Sequence, residues 1–357
     1  MKLSITKTTV DYAVELNEVL ETFFERNVTA ASNVSPYYGA LWSEMRRLIQ
    51  SGGKRLRPKM TILAYEAFGG DDHKAILPIA AAQELLHVSL LVHDDIIDRD
   101  YIRYGVDNIA GGYSKIYEKH VSDKTDLLHY SHSAALLAGD LLISGSYELM
   151  TESTIAPAKI IQAQRLFAQS MFAVAGGELL DTESAFRELG LISAELVALY
   201  KTASYSFVGP FVIGATLADA SVDDIRGLRL FAENIGIAYQ LRDDIIGIFG
   251  DETKTGKPTK SDIQEGKKTY MIEQFVQYAT NEQRVSFNRY FGNQSITSEE
   301  AEIIKELLVI SGAKQKTEEA ISVYEMQARR ALNSLTIVSD FNERIEELIA
   351  VATRRSQ

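Results

Sequence analysis

Two clusters of aspartates lie inside apolar stretches of this chain, 149 residues apart: Asp94, Asp95 and Asp98 in LLVHDDIIDRD, then Asp243 and Asp244 in YQLRDDIIGIFGD. Positions i and i+4 of a helix share a face, so Asp94 and Asp98 point the same way, with Asp95 one turn from Asp98. Like charges so close repel, and each carboxylate is costly to desolvate, so an apolar run that keeps three of them needs a compensating cation. Ligation by aspartate oxygens suits a hard divalent ion. Magnesium keeps several waters and commonly bridges one or two carboxylates to substrate phosphates. An isolated Asp pair reads as a solvated helix face. Two pairs in settings as apolar as ELLHVSLLVHDDIID and IGIAYQLRDDIIGIF point instead to a metal and diphosphate site.

The same stretches set the fold class. Apolar residues recur at helical spacing, as at Leu196, Leu199, Ala203 and Phe207, only 6 prolines interrupt the chain, and no run alternates as strands do. Helices are expected near 11–26, 37–51, 58–68, 74–98, 133–150, 158–180, 192–217, 224–249, 267–280, 282–291, 298–310, 314–334 and 337–354. That pattern predicts an all-α bundle of antiparallel helices. Breaks fall at SGGKRLRP, at a polar stretch near 107–131 that reads as a surface insertion or flap, and at GDETKTGKPTKSD. None has the length or composition of an interdomain linker, so one domain is expected over 1–357.

A net charge of -12 argues against a nucleic-acid or anionic-membrane footprint across the whole surface. With no cysteine, disulfides, thiolate catalysis and Cys-ligated metal centres are excluded. MKLSITKTTVDYAVEL lacks the apolar core of a signal peptide, and charge interrupts the later apolar runs, so the expectation is a cytosolic protein without an integral membrane segment.

Cations that could meet a diphosphate sit at the breaks. Gly53, Lys54 and Arg57 lie in GGKRLRP, a glycine turn just before a helix, where backbone N–H groups also favour an anion. The full GxxxxGK[ST] pattern is missing, so this is no nucleotide P-loop. Lys201 interrupts an apolar helix; snorkelling to the surface is its ordinary explanation. Lys257, Lys260, Lys267 and Lys268 follow the second Asp pair in a loop that could lay ammonium groups over a diphosphate. His87 lies two turns before Asp94, near enough for a second substrate, while His93 reads as a hydrogen-bonded core residue.

GGKRLRP, ELLHVSLLVHDDIID, LLAGDLL, GGELLD, KTASYSF and YQLRDDIIGIFGD followed by GKPTKSDIQEGKKT resemble, in order and approximate spacing, the motifs of trans-type polyprenyl (isoprenyl) diphosphate synthases. The chain looks most like the geranylgeranyl diphosphate synthases among them. The resemblance implies an all-α bundle around a deep central cavity, usually a homodimer. It implies that Asp94, Asp98 and Asp243 bind Mg2+, with Asp95 and Asp244 in support. Arg103, Lys201, Lys257 and Lys267 would grip an allylic diphosphate with Gln240 alongside. Gly53, Lys54, Arg57 and His87 would bind isopentenyl diphosphate. Metals and cations would draw off the leaving diphosphate, and the isopentenyl double bond would attack the allylic cation.

Three positions depart from the family's pattern. Tyr104 stands where a second arginine is common, Gly247 where a third aspartate of the second cluster is frequent, and Lys260 where a glycine is common. Asp251, two turns beyond Asp243, is the nearest substitute for the missing carboxylate. Tyr104 and Gly247 also suggest a non-catalytic subunit of a heteromeric synthase. A class I terpene cyclase is the other alternative, opposed by the second Asp pair and by GGKRLRP. Chain length depends on the cavity floor, which in this family is often formed by the residues four and five before the first Asp. Here they are Leu90 and Ser89, neither aromatic, so a product of C20 or somewhat longer is expected.

Overall fold

The computed structural model describes residues 12–250, 260–337, 341, 343–345, 347 and 349. Where one domain was expected over 1–357, the chain clusters into two compact units, Met1–Ile62 with Asp72–Ile155, and Leu63–Asp71 with Ala156–Gln357.

The first unit contains α1 (Ala13–Val34), α2 (Pro36–Gln50), the first turns of α3 (Leu56–Ala67), α4 (His73–Ile97), a short hairpin, α5 (Ile109–Tyr117) and α6 (Lys124–Thr151). Ser35 separates α1 from α2: its backbone is extended, its side chain accepts the Tyr37 N–H, and Pro36 occupies the first turn of α2. Phe23 and Phe24 then meet Trp42 edge-on across the two helices, at centroid distances of 5.9 and 6.2 Å. α4, capped by Asp72, is buried along most of its length, which explains why its sequence is apolar almost all round.

The hairpin pairs β1 (Ile102–Arg103) with β2 (Val106–Asp107). Its two turn residues, Tyr104 at φ 53° and Gly105 at φ 76°, both have positive φ, as a type I′ turn requires. Strands of two residues have no periodicity to read, so the sequence does not announce them. The segment near 107–131 is helical at both ends. Asn108 caps α5 and Asp123 caps α6, and Ile109, Ala110 and Tyr113 are buried. Tyr117 packs edge-on to Tyr130 at 4.8 Å, so the expected flap forms part of this unit's packed body.

The second unit holds the rest of α3 and then α7 (Pro157–Phe186), α8 (Ala194–Leu217), α9 (Val222–Phe249), α10 (Ser261–Glu265), α11 (Tyr270–Tyr278), α12 (Asn281–Tyr290), α13 (Ser298–Ile310) and α14 (Ala313–Leu332). α9 packs on α8 and α14 around Ala203, Ala238, Leu241 and Ile321. A second core gathers Ile248, Ile263, Met271, Phe275 and Phe287. Capping boxes at Thr280/Gln283 and Thr297/Glu300 fix the starts of α12 and α13. In the expected last helix the described residues from Phe341 onward are helical whereas Ile337 is not, Phe341 and Ile345 are buried, and Arg344 pairs with Glu66 at 2.5 Å.

α4 and α8 are long and apolar enough to cross a membrane by length and composition, contrary to the expectation that charge interrupts every such run. Burial inside the protein covers 78% of the α4 window and 56% of that in α8, as in core helices.

Candidate active site

In the first unit, the last two turns of α4 carry the first aspartate cluster. Asp95 is buried, Asp94 is half-buried and Asp98, which ends the helix, is exposed. Asp95 needs a partner, and the hairpin supplies it. The Arg103 Nε donates to Asp95 Oδ1 at 2.8 Å, its Nη2 donates to the same oxygen, and Nη2 also reaches Asp94 Oδ2 at 3.4 Å. Burial pushes the Asp95 carboxyl up to about 6, against the opposing pull of Arg103. For Arg103, burial alone would lower the guanidinium pKa; Asp95 and Asp94 outweigh it and raise it above its ordinary value. The cluster thus divides into an inner carboxylate neutralised by Arg103 and outer carboxylates on the accessible side.

The glycine turn before α3 is fixed by Arg55, one of the three cations that GGKRLRP carries. Its guanidinium donates to the buried Glu84 at 2.7 Å, to the Gly52 carbonyl at 3.1 Å and to the Ile49 carbonyl at 2.5 Å. Gly53 adopts φ 108°, which side chains rarely tolerate, and a Cβ there would meet Arg55 Nη1 at 3.0 Å. With Arg55 turned inward, Lys54 is exposed and Arg57 half-buried on the opening turns of α3. His87 and Leu90 are half-buried on α4, whereas Ser89 is fully buried and donates to the Leu86 carbonyl at 2.7 Å.

In the second unit, α9 carries Gln240, Asp243 and Asp244 on adjacent turns. Asp244 is 7% exposed, and Asp243 is half-buried. Gln240 donates to Asp244 Oδ1 at 2.8 Å and accepts from the Thr202 hydroxyl at 2.5 Å, tying α9 to α8. Burial raises the Asp244 carboxyl to about 7 despite Lys267 and Gln240. At Lys267, burial is outweighed by Asp262, Asp244 and Asp181, and the ammonium pKa is raised. Lys201 pairs with Glu178 at 3.0 Å and with Asp181 at 2.7 Å on α7. It lies in a π-helical stretch, Ala198–Val208, of α8. Such wide turns are rare and frequently occur at functional sites. α7 comes close here because Gly177 has no side chain: a Cβ would overlap the backbone of Tyr200 and Lys201.

Each unit therefore presents a buried aspartate next to a partly exposed one, with a basic side chain close to the buried member. The ligand sets on the accessible side are carboxylate oxygens, which fit a hard divalent ion.

Residues 40–308 match the polyprenyl synthetase family. The chain belongs to that family. It is 32% identical to geranylgeranyl diphosphate synthase of Sulfolobus acidocaldarius over 89% of this chain and 92% of that one. It is 30% identical to geranylfarnesyl diphosphate synthase of Aeropyrum pernix over 85% of this chain and 90% of that one. Among solved structures it resembles the geranylgeranyl pyrophosphate synthase of Corynebacterium glutamicum complexed with isoprenyl diphosphate and magnesium. That likeness has a TM-score of 0.89 at 26% identity and covers 97% of this chain and 100% of that one. The chain is thus a trans-prenyl diphosphate synthase, a prenyltransferase with the all-α isoprenoid-synthase fold, and magnesium dependence is typical of its family.

As a polyprenyl synthetase the chain has three features that its sequence did not disclose. Tyr104 lies in the left-handed region at the tip of the hairpin, and its ring would be 3.0 Å from a Cβ at Gly52, so the aromatic side chain covers the glycine turn. Lys268, expected over the diphosphate, instead donates to the Ser184 carbonyl at 2.7 Å and to the Arg187 carbonyl, closing the C-terminal end of α7. Lys260 precedes the first turn of α10. Lys257 and Asp251 lie outside the described residues.

Proposed function

We propose that this chain lengthens an allylic diphosphate with isopentenyl diphosphate, releasing inorganic diphosphate and a trans-polyprenyl diphosphate of C20 or somewhat longer. The observation that carries this reading is the division of both aspartate pairs into a buried member with a polar or basic partner and an accessible member, within a chain of this family. Asp94, Asp98 and Asp243 would hold magnesium, which supplies positive charge to the departing diphosphate.

The other roles fall to the chain's own side chains. Asp95 holds Arg103, and Glu178 with Asp181 holds Lys201, so both cations are oriented before substrate arrives. They and Lys267 stabilise charge on the leaving diphosphate, Gln240 keeps Asp244 in place, and Lys257 adds a cation from the segment after α9. Lys54, Arg57, His87 and the Gly53 turn bind isopentenyl diphosphate. Its double bond attacks the allylic cation, a new carbon–carbon bond forms, and the proton lost from the adduct goes to the released diphosphate. Ser89, with Leu90 beside it, leaves the floor below the first cluster without an aromatic stopper, which supports a C20 or longer product. Relatives of similar identity are named for products shorter and longer than C20, farnesyl and geranylfarnesyl diphosphate.

The deciding experiment incubates the purified chain with magnesium, isopentenyl diphosphate and an allylic primer, then dephosphorylates and separates the products. Linear alcohols of C20 or more support the reading. Cyclic hydrocarbon, or no turnover without a partner chain, would refute it, and farnesol alone would refute the chain-length part. We further propose a cytosolic homodimer that binds no nucleic acid; light scattering of the purified chain tests the dimer.

A further inference from the structure

The hairpin that delivers Arg103 to Asp95 has little apolar packing of its own. Ile102 and Val106, the aliphatic side chains of its two strands, are exposed, and a pocket of about 580 Å3 opens between the hairpin, α2 and α5. Polar ties must therefore hold it, and they divide between its base and its outer strand.

At the base, the Asn108 N–H donates to the Tyr101 carbonyl at 3.0 Å. The Asn108 side chain donates to the Asp100 carbonyl at 2.7 Å and accepts the Gly111 N–H at 2.8 Å. The N–H and C=O of a trans peptide point in opposite directions, so with the Asn108 N–H turned in towards Tyr101, the Asp107 carbonyl is turned out. Arg47 of α2 meets it there. Its Nη2 donates to the Asp107 carbonyl at 2.7 Å, joining residues 60 apart in the chain. Glu44, one turn earlier on α2, steers the guanidinium by accepting from Nε at 2.9 Å, with Nη2 2.8 Å from the same carboxylate oxygen. Lys115 of α5 reaches the Asp107 carboxylate at 2.7 Å, but its side chain is 69% exposed, and ion pairs so exposed hold little. Arg47 is the firmer tie. Asp107 stands opposite Ile102 in the register, beside Arg103. An ion pair with Glu44 alone would give Arg47 no need of a backbone carbonyl from the hairpin.

We propose that Arg47 is a positioning residue for prenyl transfer: by gripping the Asp107 carbonyl it holds β2, and through β2 the strand that carries Arg103. The proposal rests on the reading that Arg103 serves a diphosphate site. Asp95 orients the head of the Arg103 side chain, and Arg47 fixes the backbone from which that side chain starts. Both anchors matter, because a positioned group displaced by about 1 Å loses much of its effect.

Inorganic diphosphate with magnesium is the probe, titrated by calorimetry against the full-length protein in wild type, R47M, R47K, K115M, R103Q and R47M/R103Q, with thermal melts to verify folding. R103Q should bind at least roughly 10-fold more weakly, as for the loss of one charged hydrogen bond. R47M should lose several-fold. R47K, whose ammonium can still donate to the carbonyl, should recover part of that loss, and K115M should stay within about twofold of wild type. The coupling separates positioning from general structural support: R47M/R103Q should bind no worse than R103Q, because Arg47 acts only through Arg103. If R47M unfolds, R47K and R47K/R103Q carry the same comparison. Wild-type affinity in R47M while R103Q is weak would overturn the proposal alone. So would an R47M loss repeated in full on the R103Q background, or a K115M loss equal to that of R47M. Wild-type affinity in R103Q, or no diphosphate binding by the wild type, would overturn the site reading and this proposal with it.

Discussion

Replacing Gly177 with alanine separates crowding from misplacement of Lys201. The added Cβ would lie 2.6 Å from Lys201 Cα and nearer still to the Lys201 backbone nitrogen, and ordinary van der Waals contact begins at 3.4 Å, so the backbones of α7 and α8 must part by more than 3.4 − 2.6 = 0.8 Å. Overpacking of this kind costs roughly 1–3 kcal/mol. The gain in helix propensity from glycine to alanine returns about 1 kcal/mol, for a net loss of about 0–2 kcal/mol. Activity should fall much further. Lys201 is held by Glu178 and Asp181 on the displaced helix, and a shift near 1 Å in a positioned group can cost about 100-fold. Gly176, one residue earlier, is the control: it is exposed, and a Cβ there meets nothing within 4 Å. Denaturant unfolding and steady-state prenyl transfer should show G176A as active as wild type and up to about 1 kcal/mol more stable, with G177A folded but roughly 10- to 100-fold slower. If G177A matches G176A in both measurements, the close approach of the two helices does not set Lys201.

Three further outcomes can be measured. Tyr104→Arg should lower the KM for isopentenyl diphosphate by roughly 10-fold or more, the worth of one charged hydrogen bond, and leave that for the allylic primer unchanged; equal changes in both would contradict the assignment. Ser89→Phe should shorten the product, and an unchanged chain length would put the floor elsewhere. Burial raises the Asp244 carboxyl from 3.8 to about 7, against Lys267 and Gln240, so its contribution to stability is complete below 3.8 and is lost as pH rises through about 7. Without metal or diphosphate, the unfolding free energy of wild type should therefore fall relative to D244N across that window, by about 1.4 kcal/mol per unit of pKa shift. Parallel pH profiles for the two proteins would show that Asp244 is not held in the way its burial implies.

The long helices were legible because each buries a face over several turns, as in Leu196, Leu199, Ala203 and Phe207, and 3.6-residue periodicity accumulates over such lengths. The aspartate pairs were legible because carboxylates inside apolar helices demand a reason. The hairpin at Ile102–Asp107 was not, since two-residue strands carry no pattern and a tyrosine in the left-handed region is uncommon. Spacings of three and four residues also fit the π-helical stretch around Lys201, so nothing in the apolar pattern distinguished it from an α-helix. The polar composition of 107–131 hid two capped helix starts. Asp262 was read as a loop residue and Lys268 as a cation over the diphosphate because their neighbours, Gly247 and the end of α7, come from distant parts of the second unit.

Neighbouring aspartates in each pair face different selective pressures. A duplicated copy that ceased to catalyse would no longer need Asp94, Asp98 or Asp243 for metal. Losing Asp95 would leave the largely buried Arg103 cation without its closest partner, and losing Asp244 would strip Gln240 of its acceptor. Retention of the inner aspartate with decay of the outer one would therefore be the signature of a descendant kept for its shape, and among diverging copies it would distinguish retired subunits from working ones.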